Sequence, residues 1–186
     1  MRVIAGTARS LKLKTPEGLD TRPTTDRIKE TLFNMIQFSL PGSVFVDLYS
    51  GSGAIGIEAL SRGAQKCYFV ENNTAAVNCI KENINFTKFE NQTVVLKKDV
   101  LSSLRELNDD VIDFVFMDPP YHLMEESSVL RALSKMKNIT EQTVVICEAS
   151  IEREVNSFEE CGFKIIKIKN YKTNKHIFMQ REKDES

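Results

Sequence analysis

The chain has 186 residues, of which 41% are hydrophobic and 27% charged, and its formal net charge is −1. This composition fits one soluble globular domain with a short appendage. No run approaches the roughly 18 apolar residues of a membrane span, and the first residues lack the apolar segment of a signal peptide. We therefore expect a cytoplasmic protein without a membrane anchor.

The charge is unevenly distributed along the chain. Residues 1–29 hold seven basic and three acidic side chains, a local balance of +4, so the remainder carries −5. This asymmetry favours a polyanion such as RNA at the N-terminal end. The alternative is a solvated edge, since lysines also protect exposed strands from unwanted pairing, and Arg22 could form a surface salt bridge. The predicted RNA-binding residues are Arg2, Arg9, Lys12, Arg22 and Arg27.

The four cysteines show no C-x-x-C spacing. We predict that they are small buried hydrophobic residues rather than metal ligands or disulfide partners. No metal-ligand spacing, Ser-His-Asp order or Walker loop is present in the sequence. The cysteines are Cys67, Cys79, Cys147 and Cys161.

The N-terminal 40 residues predict a β-hairpin arm followed by a helix. Residues 1–15 alternate loosely between apolar and basic side chains around Gly6, which indicates a small hairpin. Thr24 or Thr25 can cap the helix, which we expect to end near Phe38 and to pack on the main domain. It would place Arg22 near the cofactor site.

From residue 41 onward, strands alternate with helices. This alternation, closed by two consecutive strands, predicts a three-layer α/β sheet with a C-terminal antiparallel hairpin. Lysines at 164–175 stand near that hairpin, where edge protection and nucleic-acid contact are equally good explanations. The predicted strands are 44–46, 67–70, 94–96, 111–117, 144–147, 164–170 and 176–180, and the predicted helices are 54–62, 74–85, 101–107, 125–136 and 152–161.

A glycine loop follows the first strand. The spacing Gly51-x-Gly53-x-x-Gly56 lets a ligand approach the backbone N–H groups at a helix start, and Glu71 follows about 20 residues later. The glycines fit a dinucleotide as well as S-adenosylmethionine (SAM). The Asp47 carboxylate favours SAM, because it would repel a pyrophosphate but suits an ammonium and a sulfonium.

Further acidic residues are expected at the carboxyl ends of strands. Glu71 fits the ribose hydroxyls, since a carboxylate accepts two hydrogen bonds from a vicinal diol. Asp99 can accept from the adenine amine, with a backbone N–H at Val100 reaching a ring nitrogen. Each acid taken singly could instead be a helix cap.

The tetrapeptide Asp118-Pro119-Pro120-Tyr121 is the most specific signal. The Asp118 carboxylate and the Pro119 carbonyl can accept from the two N–H groups of a nucleobase amine and localise its lone pair. The prolines make the turn rigid, and Tyr121 offers a face for an unstacked base. Asp118 is also a candidate acceptor for the proton lost after methyl transfer. His122 follows the tetrapeptide but has no identifiable partner, so we do not expect it to act as a catalytic base.

Taken together, five segments resemble the bacterial small-subunit (16S) ribosomal RNA guanine-N2 methyltransferases: Arg-Val-Ile-Ala-Gly at 2–6, the run at 22–34, Asp-Leu-Tyr-Ser-Gly-Ser-Gly at 47–53, Glu-Ala-Leu-Ser-Arg-Gly-Ala at 58–64 and Asp-Pro-Pro-Tyr at 118–121. The resemblance implies a Rossmann-like class I SAM-dependent methyltransferase fold with a seven-stranded sheet at 41–186 and an RNA-contacting extension at 1–40. It also implies methylation of a guanine N2 on an assembling or assembled small subunit, by a protein that we expect to be monomeric and metal-free.

The resemblance also implies roles for single residues. Asp47, Gly51 and Gly53 would face the methionine part of SAM, with Leu48 and Ser52 in the same loop. Glu71 and Asn72 would face the ribose, Asp99 and Val100 the adenine, and residues 118–121 the target base. The sequence departs from the pattern at Tyr49, where the general motif has its first glycine, and at Tyr121, where relatives often have Phe.

Three other functions remain compatible with parts of the sequence. The tetrapeptide does not encode which amine is methylated, so an adenine-N6 methyltransferase of RNA or DNA is one alternative. A dinucleotide-dependent oxidoreductase would need a catalytic Tyr-Lys or His constellation that we cannot identify. A SAM-binding RNA chaperone would not need the tetrapeptide.

Overall fold

A computed structural model of the chain describes residues 1–16, 25–120 and 125–182. The predictions for Arg22, Thr24, Tyr121 and His122 lie outside these ranges. The described residues form seven strands: β1 Val44–Leu48, β2 Lys66–Val70, β3 Thr93–Leu96, β4 Ile112–Met117, β5 Ile139–Ser150, β6 Phe163–Asn170 and β7 Asn174–Arg181. They form one sheet in the order β3-β2-β1-β4-β5-β7-β6, in which β1 to β5 run parallel and β7 lies antiparallel to both β5 and β6.

Helices cover both faces of this sheet, which confirms the predicted three layers. The helices are α1 Asp26–Ile36, α2 Ala54–Ser61, α3 Thr74–Thr87, α4 Val100–Ser103, α5 Glu126–Leu133 and α6 Asn156–Glu159, with short 3-10 turns at Glu90–Gln92 and Leu104–Glu106. One hydrophobic cluster joins α1, α2 and α3 to Phe45, Phe116 and Phe178 of the sheet. The other joins α4, α5 and α6 to strand residues of the opposite face, including Leu48 and Met117. None of the helices formed by the described residues is long and apolar enough to cross a membrane.

Several element boundaries differ from the predictions. β5 spans Ile139–Ser150 rather than 144–147, because its first part also pairs with β4 through a register shift. The helix predicted at 152–161 is reduced to the single turn of α6, preceded by a turn after β5. α1 is capped by Thr25, whose side chain accepts from the Ile28 N–H at 3.3 Å. It ends at Ile36, two residues before the 93% exposed Phe38.

The N-terminal arm forms a short antiparallel hairpin that is packed against the domain. Arg2 and Lys12 form a bridge between its two sides, and the Val3 N–H donates to the Leu11 oxygen and the Leu13 N–H to the Met1 oxygen, both at 3.0 Å. Val3, Ala8 and Leu13 are buried in the same cluster as α1 and the sheet. The arm therefore contributes to the core while its basic side chains stay exposed.

A buried ion pair fixes this arm. The Lys29 ammonium lies 3.1 Å from a Glu58 oxygen, and both side chains are 0% exposed. Glu58 also accepts from the backbone N–H groups of Ile4 at 2.8 Å and Ala5 at 3.1 Å, and from Arg62 at 2.8 Å. One carboxylate on α2 thus connects the arm, α1 and the sheet domain.

The four cysteines are all buried and unpaired, as predicted.

Candidate functional site

A cavity of about 510 Å³ opens at the carboxyl ends of β1, β2, β3 and β4. The strand order reverses between β1 and β4, and ligands of open α/β sheets bind at such a switch point. Ligand pockets of proteins usually enclose about 300–1,000 Å³, so the cavity can hold a nucleoside-sized molecule. The structure brings most of the predicted site residues to its wall: Asp47, Gly51, Ser52, Glu71, Asn72, Asp99, Val100, Asp118 and Pro120.

Asp47 is the fourth residue of β1 and is buried beneath the glycine loop. Its Oδ2 accepts from the Gly56 N–H at 3.0 Å, in the first turn of α2. Burial raises the pKa of Asp47 well above its usual range, the Gly56 N–H opposes this, and the Glu71 and Asp118 charges add to it. A cation in the cavity would stabilise the ionised form of this carboxyl group.

Gly56 makes the close packing of α2 on the sheet possible. A Cβ atom at this position would lie 2.4 Å from the Phe69 ring and 2.6 Å from the Cys67 sulfur. Only glycine therefore allows the helix start, with its backbone N–H groups, to lie this close to β2 and the cavity.

Glu71, at the end of β2, holds the glycine loop. One carboxylate oxygen accepts from the Gly51 N–H at 2.9 Å and the other from the Asn73 N–H at 2.9 Å. Each carboxylate oxygen has a second lone pair, so the group can still accept hydrogen bonds from a diol. Glu71 thus shapes the loop and offers acceptors to the cavity.

Asp99 caps α4, the alternative role considered from the sequence. Its Oδ1 accepts from the Ser102 N–H at 2.9 Å, and bonds with Ser102 lower its pKa. The exposed carboxylate lines the cavity beside the buried Val100, so the cap and a ligand contact are compatible.

Tyr49 shows why the general motif has a glycine at its position. Its φ is +60°, in the left-handed region that β-carbons disfavour. Its hydroxyl donates to Glu125 at 2.7 Å, and its ring packs against the second core cluster. These contacts hold the strained backbone in place, and the side chain joins the loop to the segment before α5.

Asp118 follows directly after β4 and faces the cavity. Burial, followed by the Glu148 charge, raises its pKa above the ordinary carboxyl range. No residue in the described part of the chain donates a hydrogen bond to its side chain. Pro119 is buried and Pro120 lies exposed on the cavity wall, which makes the turn rigid. Asp118 is thus a carboxyl group with free acceptor capacity at the cavity.

Two of the predicted cofactor residues lie away from the cavity wall. Leu48 is completely buried in the core cluster of the opposite sheet face. Gly53 precedes α2 with φ +78° and shapes the turn. Successive side chains of a strand point to opposite faces of the sheet, so Leu48 points away from the cavity that its neighbour Asp47 lines.

Several residues of the cavity wall were not predicted from the sequence. Phe116 was findable, since it stands two residues before Asp118 on the same side of β4. Tyr49 lies inside the glycine-loop motif, where it was noted only as a departure from the pattern, and Lys98 and Glu125 had no motif to mark them. The described residues contain no group of three His, Cys, Asp or Glu side chains that could hold a metal ion.

A seven-stranded, mostly parallel sheet with a C-terminal antiparallel hairpin and a cavity at its switch point is the class I methyltransferase fold. A solved structure from Escherichia coli, described as "Putative methyltransferase yhhF", matches 99% of this chain and 99% of that chain. The TM-score is 0.82 and the sequence identity 25%.

The chain belongs to the family described as "Conserved hypothetical protein 95", whose model matches residues 1–180. It is 35% identical over 164 residues to the Bacillus subtilis (strain 168) protein named "Putative rRNA methyltransferase YlbH", covering 87% of this chain and 88% of that protein. It is 32% identical over 154 residues to the Escherichia coli (strain K12) protein named "Ribosomal RNA small subunit methyltransferase D", covering 82% and 76%.

Proposed function

We propose that this protein is a SAM-dependent methyltransferase that modifies a guanine N2 amine of small-subunit ribosomal RNA. The observation that carries the proposal is the charge of the cavity. Among the residues that the structure describes, five carboxyl side chains and one lysine line it, at the place where this fold binds its ligand. Such a wall favours a cofactor with an ammonium and a sulfonium and disfavours a pyrophosphate. The carboxyl groups belong to Asp47, Glu71, Asp99, Asp118 and Glu125.

Bound SAM would supply an electrophilic methyl group. The Asp118 carboxylate and the Pro119 carbonyl would accept from the N–H groups of the target amine and orient its lone pair toward that methyl group. Pro119 and Pro120 carry no backbone N–H, so neither residue adds a donor that would compete with these two acceptors. Asp118 would also take the proton that the amine releases.

The substrate assignment rests on the names of the relatives and on the position of basic side chains. Arg2, Arg9, Lys12 and Arg27 are exposed, although Arg2 also pairs with Asp26 at 3.2 Å. We propose that residues 1–40 contact RNA through this surface, and that the protein acts as a monomer in the cytoplasm.

The edge strand β6 adds a second basic surface. Lys164, Lys167 and Lys169 pair with Gln180, Phe178 and His176 of β7, which places the three lysines on the sheet face that carries Asp118. All three are exposed, and none is ion-paired within the described part of the chain. A phosphate backbone entering the cavity from this side would be neutralised by them.

A transfer assay with tritiated-methyl SAM tests the proposal. It would compare small subunits that lack the modification, naked ribosomal RNA and duplex DNA, followed by nucleoside analysis of the product. We expect label in N2-methylguanosine, with small subunits as the best substrate. Label in N6-methyladenosine would overturn the substrate assignment, and tight SAM binding without any transfer would overturn catalysis.

A further inference from the structure

Glu148, near the end of β5, is a buried charged residue that the proposed mechanism leaves unused. Its side chain is clamped from both sides, by Asn174 and by His176. Oε1 accepts from the Asn174 amide at 2.6 Å, and Oε2 lies 3.1 Å from Nε2 of His176. Glu148 is 7% exposed and His176 is 0% exposed. Such a clamp fixes the position of the carboxylate.

His176 is itself held in one orientation. Its Nδ1 lies 3.2 Å from the hydroxyl of Tyr171, and its ring stands edge-on to Phe116, with the ring centroids 5.8 Å apart. Burial and the charge of Glu148 raise the pKa of Tyr171 to about 12, so the hydroxyl stays protonated at neutral pH. Each member of this network is therefore immobilised by the next.

The sheet register places this network beside Asp118. Met117 of β4 pairs with Cys147 of β5, so Asp118 is level with Glu148, one residue beyond the last pair. Glu148 in turn pairs with His176 of β7. Paired residues of neighbouring strands share a face, and neighbouring strands lie about 4.8 Å apart. Asp118, Glu148 and His176 thus form a row across three strands.

We propose that Glu148 is a positioning residue for Asp118. Asn174 and His176 hold Glu148 in place, and its negative charge makes Asp118 a stronger proton acceptor for the target amine than an ordinary carboxylate. The inference rests on the proposed function. In the transfer step the nitrogen lone pair forms the bond to the methyl carbon, and the electron pair of the carbon–sulfur bond stays on sulfur. The nitrogen then gives its extra proton to the Asp118 carboxylate, which becomes neutral.

A fixed negative charge helps most at this last transfer. Two neighbouring carboxylates repel each other, and protonation of one of them removes the repulsion. The same row explains the raised pKa of Asp118, for which burial and Glu148 are the two causes. A purely architectural role of the clamp, tying β5 to β7, would not require the charge of Glu148.

Other charged and titratable groups lie around Asp118, and all of them remain in a Glu148→Gln variant. In the described part of the chain they are Asp47 and Tyr49 of β1 and its loop, Glu71 after β2, Lys98 and Asp99 after β3, Glu125 before α5, Cys147 of β5, Tyr171 before β7 and His176 of β7. Because His176 contacts Glu148 directly, the comparison of E148Q with E148D, which keeps a carboxylate at this position, isolates the charge of Glu148.

The first test needs neither cofactor nor RNA. The carboxyl carbons of aspartate are labelled with carbon-13, and the Asp118 resonance is assigned by its loss in Asp118→Asn. We expect E148Q to lower the titration midpoint of Asp118 by about one pH unit or more, and E148D, which keeps the charge, to preserve most of the wild-type midpoint. The matched control is Glu152→Gln, which removes an exposed carboxylate from the turn after β5. It should leave the midpoint unchanged.

An unchanged midpoint in E148Q, or equal shifts in E148Q and E148D, would overturn the proposal. Should E148Q fail to fold, Asn174→Ala keeps every charge but frees one oxygen of Glu148. It should lower the midpoint by less than E148Q is expected to, and a wild-type midpoint in this variant would also overturn the proposal.

The second test is the single-turnover rate as a function of pH at saturating SAM and RNA. In E148Q the rising limb of the rate–pH curve should move to lower pH, and the plateau rate should fall by about tenfold or more. The affinity for SAM should stay within about threefold of the wild-type value. A lower rate with an unmoved limb would assign Glu148 a structural role only. If the wild-type protein transfers no methyl group to ribosomal RNA, the proposed function fails, while the carbon-13 titration still decides the effect of Glu148 on Asp118.

Discussion

Replacing Glu58 with glutamine tests the buried ion pair that fixes the N-terminal arm. The variant keeps the size of the side chain and one acceptor oxygen, but it leaves the Lys29 ammonium without its 3.1 Å partner in a fully buried position. The second contact of Lys29, with the backbone oxygen of Arg2, carries no full charge. Lys29 thus becomes a buried cation opposed only by the weaker effect of the Asp26 charge.

The expected loss is large. Removing one partner of a buried pair usually costs about 3–5 kcal/mol of unfolding free energy. For a domain of this length that corresponds to a melting temperature lower by roughly 6–20 °C. The arm should loosen first, because Glu58 also accepts from the N–H groups of Ile4 and Ala5.

The loss should depend on pH with a defined sign. Burial lowers the pKa of Lys29, and the Glu58 charge opposes that lowering. In E58Q the opposing charge is gone, so the folded-state pKa of Lys29 falls further below the unfolded value of about 10.4. Between these two values the unfolded state binds more protons, and stability rises with pH. The loss of unfolding free energy in E58Q, relative to the wild type, should therefore be smaller at about pH 9.5 than at pH 7.

Urea unfolding followed by circular dichroism at both pH values measures this deficit. The control is Glu82→Gln, which breaks the Lys14–Glu82 pair, 2.6 Å long but with side chains 71% and 55% exposed. An exposed pair contributes about 0–1 kcal/mol, so the control should unfold almost like the wild type. A deficit of E58Q below about 1 kcal/mol, or one that grows with pH, would refute the reasoning.

Three further variants address the candidate site. Asp118→Asn should lower the methyl transfer rate by about 10²-fold or more while SAM affinity, measured by calorimetry, changes less than about tenfold; wild-type transfer would remove Asp118 from catalysis. Gly56→Ala should lower stability by about 1–3 kcal/mol in urea unfolding and weaken SAM binding, because its Cβ would lie 2.4 Å from the Phe69 ring. The double change Lys167→Glu and Lys169→Glu should weaken RNA binding and flatten its dependence on salt in a filter-binding assay, whereas unchanged affinity would leave β6 a protected edge.

Much of the fold could be predicted from the sequence, because hydrophobic periodicity and turn residues are local signals. The alternation of strands and helices from Val44 onward gave the three layers and the antiparallel hairpin. Ends of elements were predicted less well. The first half of β5 and the short α6 depend on pairing with β4 and on packing against the sheet, neither of which leaves a local pattern.

The arm shows where tertiary context limits a local pattern. Its alternation predicts a hairpin, and backbone hydrogen bonds join Val3 to Leu11 and Leu13 to Met1 across it. The N–H groups of Ile4 and Ala5 do not take part in this pairing, because they donate to Glu58 of α2.

The glycine loop, the acids that follow the strands and the Asp118-Pro119-Pro120 turn could be predicted from the sequence alone, since each is a short motif whose chemistry is contained in neighbouring residues. Which of these residues face the cavity depends on the tertiary structure, in which Asp47 lines the cavity while Leu48 is buried on the other face. The tertiary structure alone brought Glu148 and His176 to Asp118, because the pairing of β4, β5 and β7 aligns residues that are far apart in the chain. Register across a sheet is set by the packing of both faces, and no single segment encodes it.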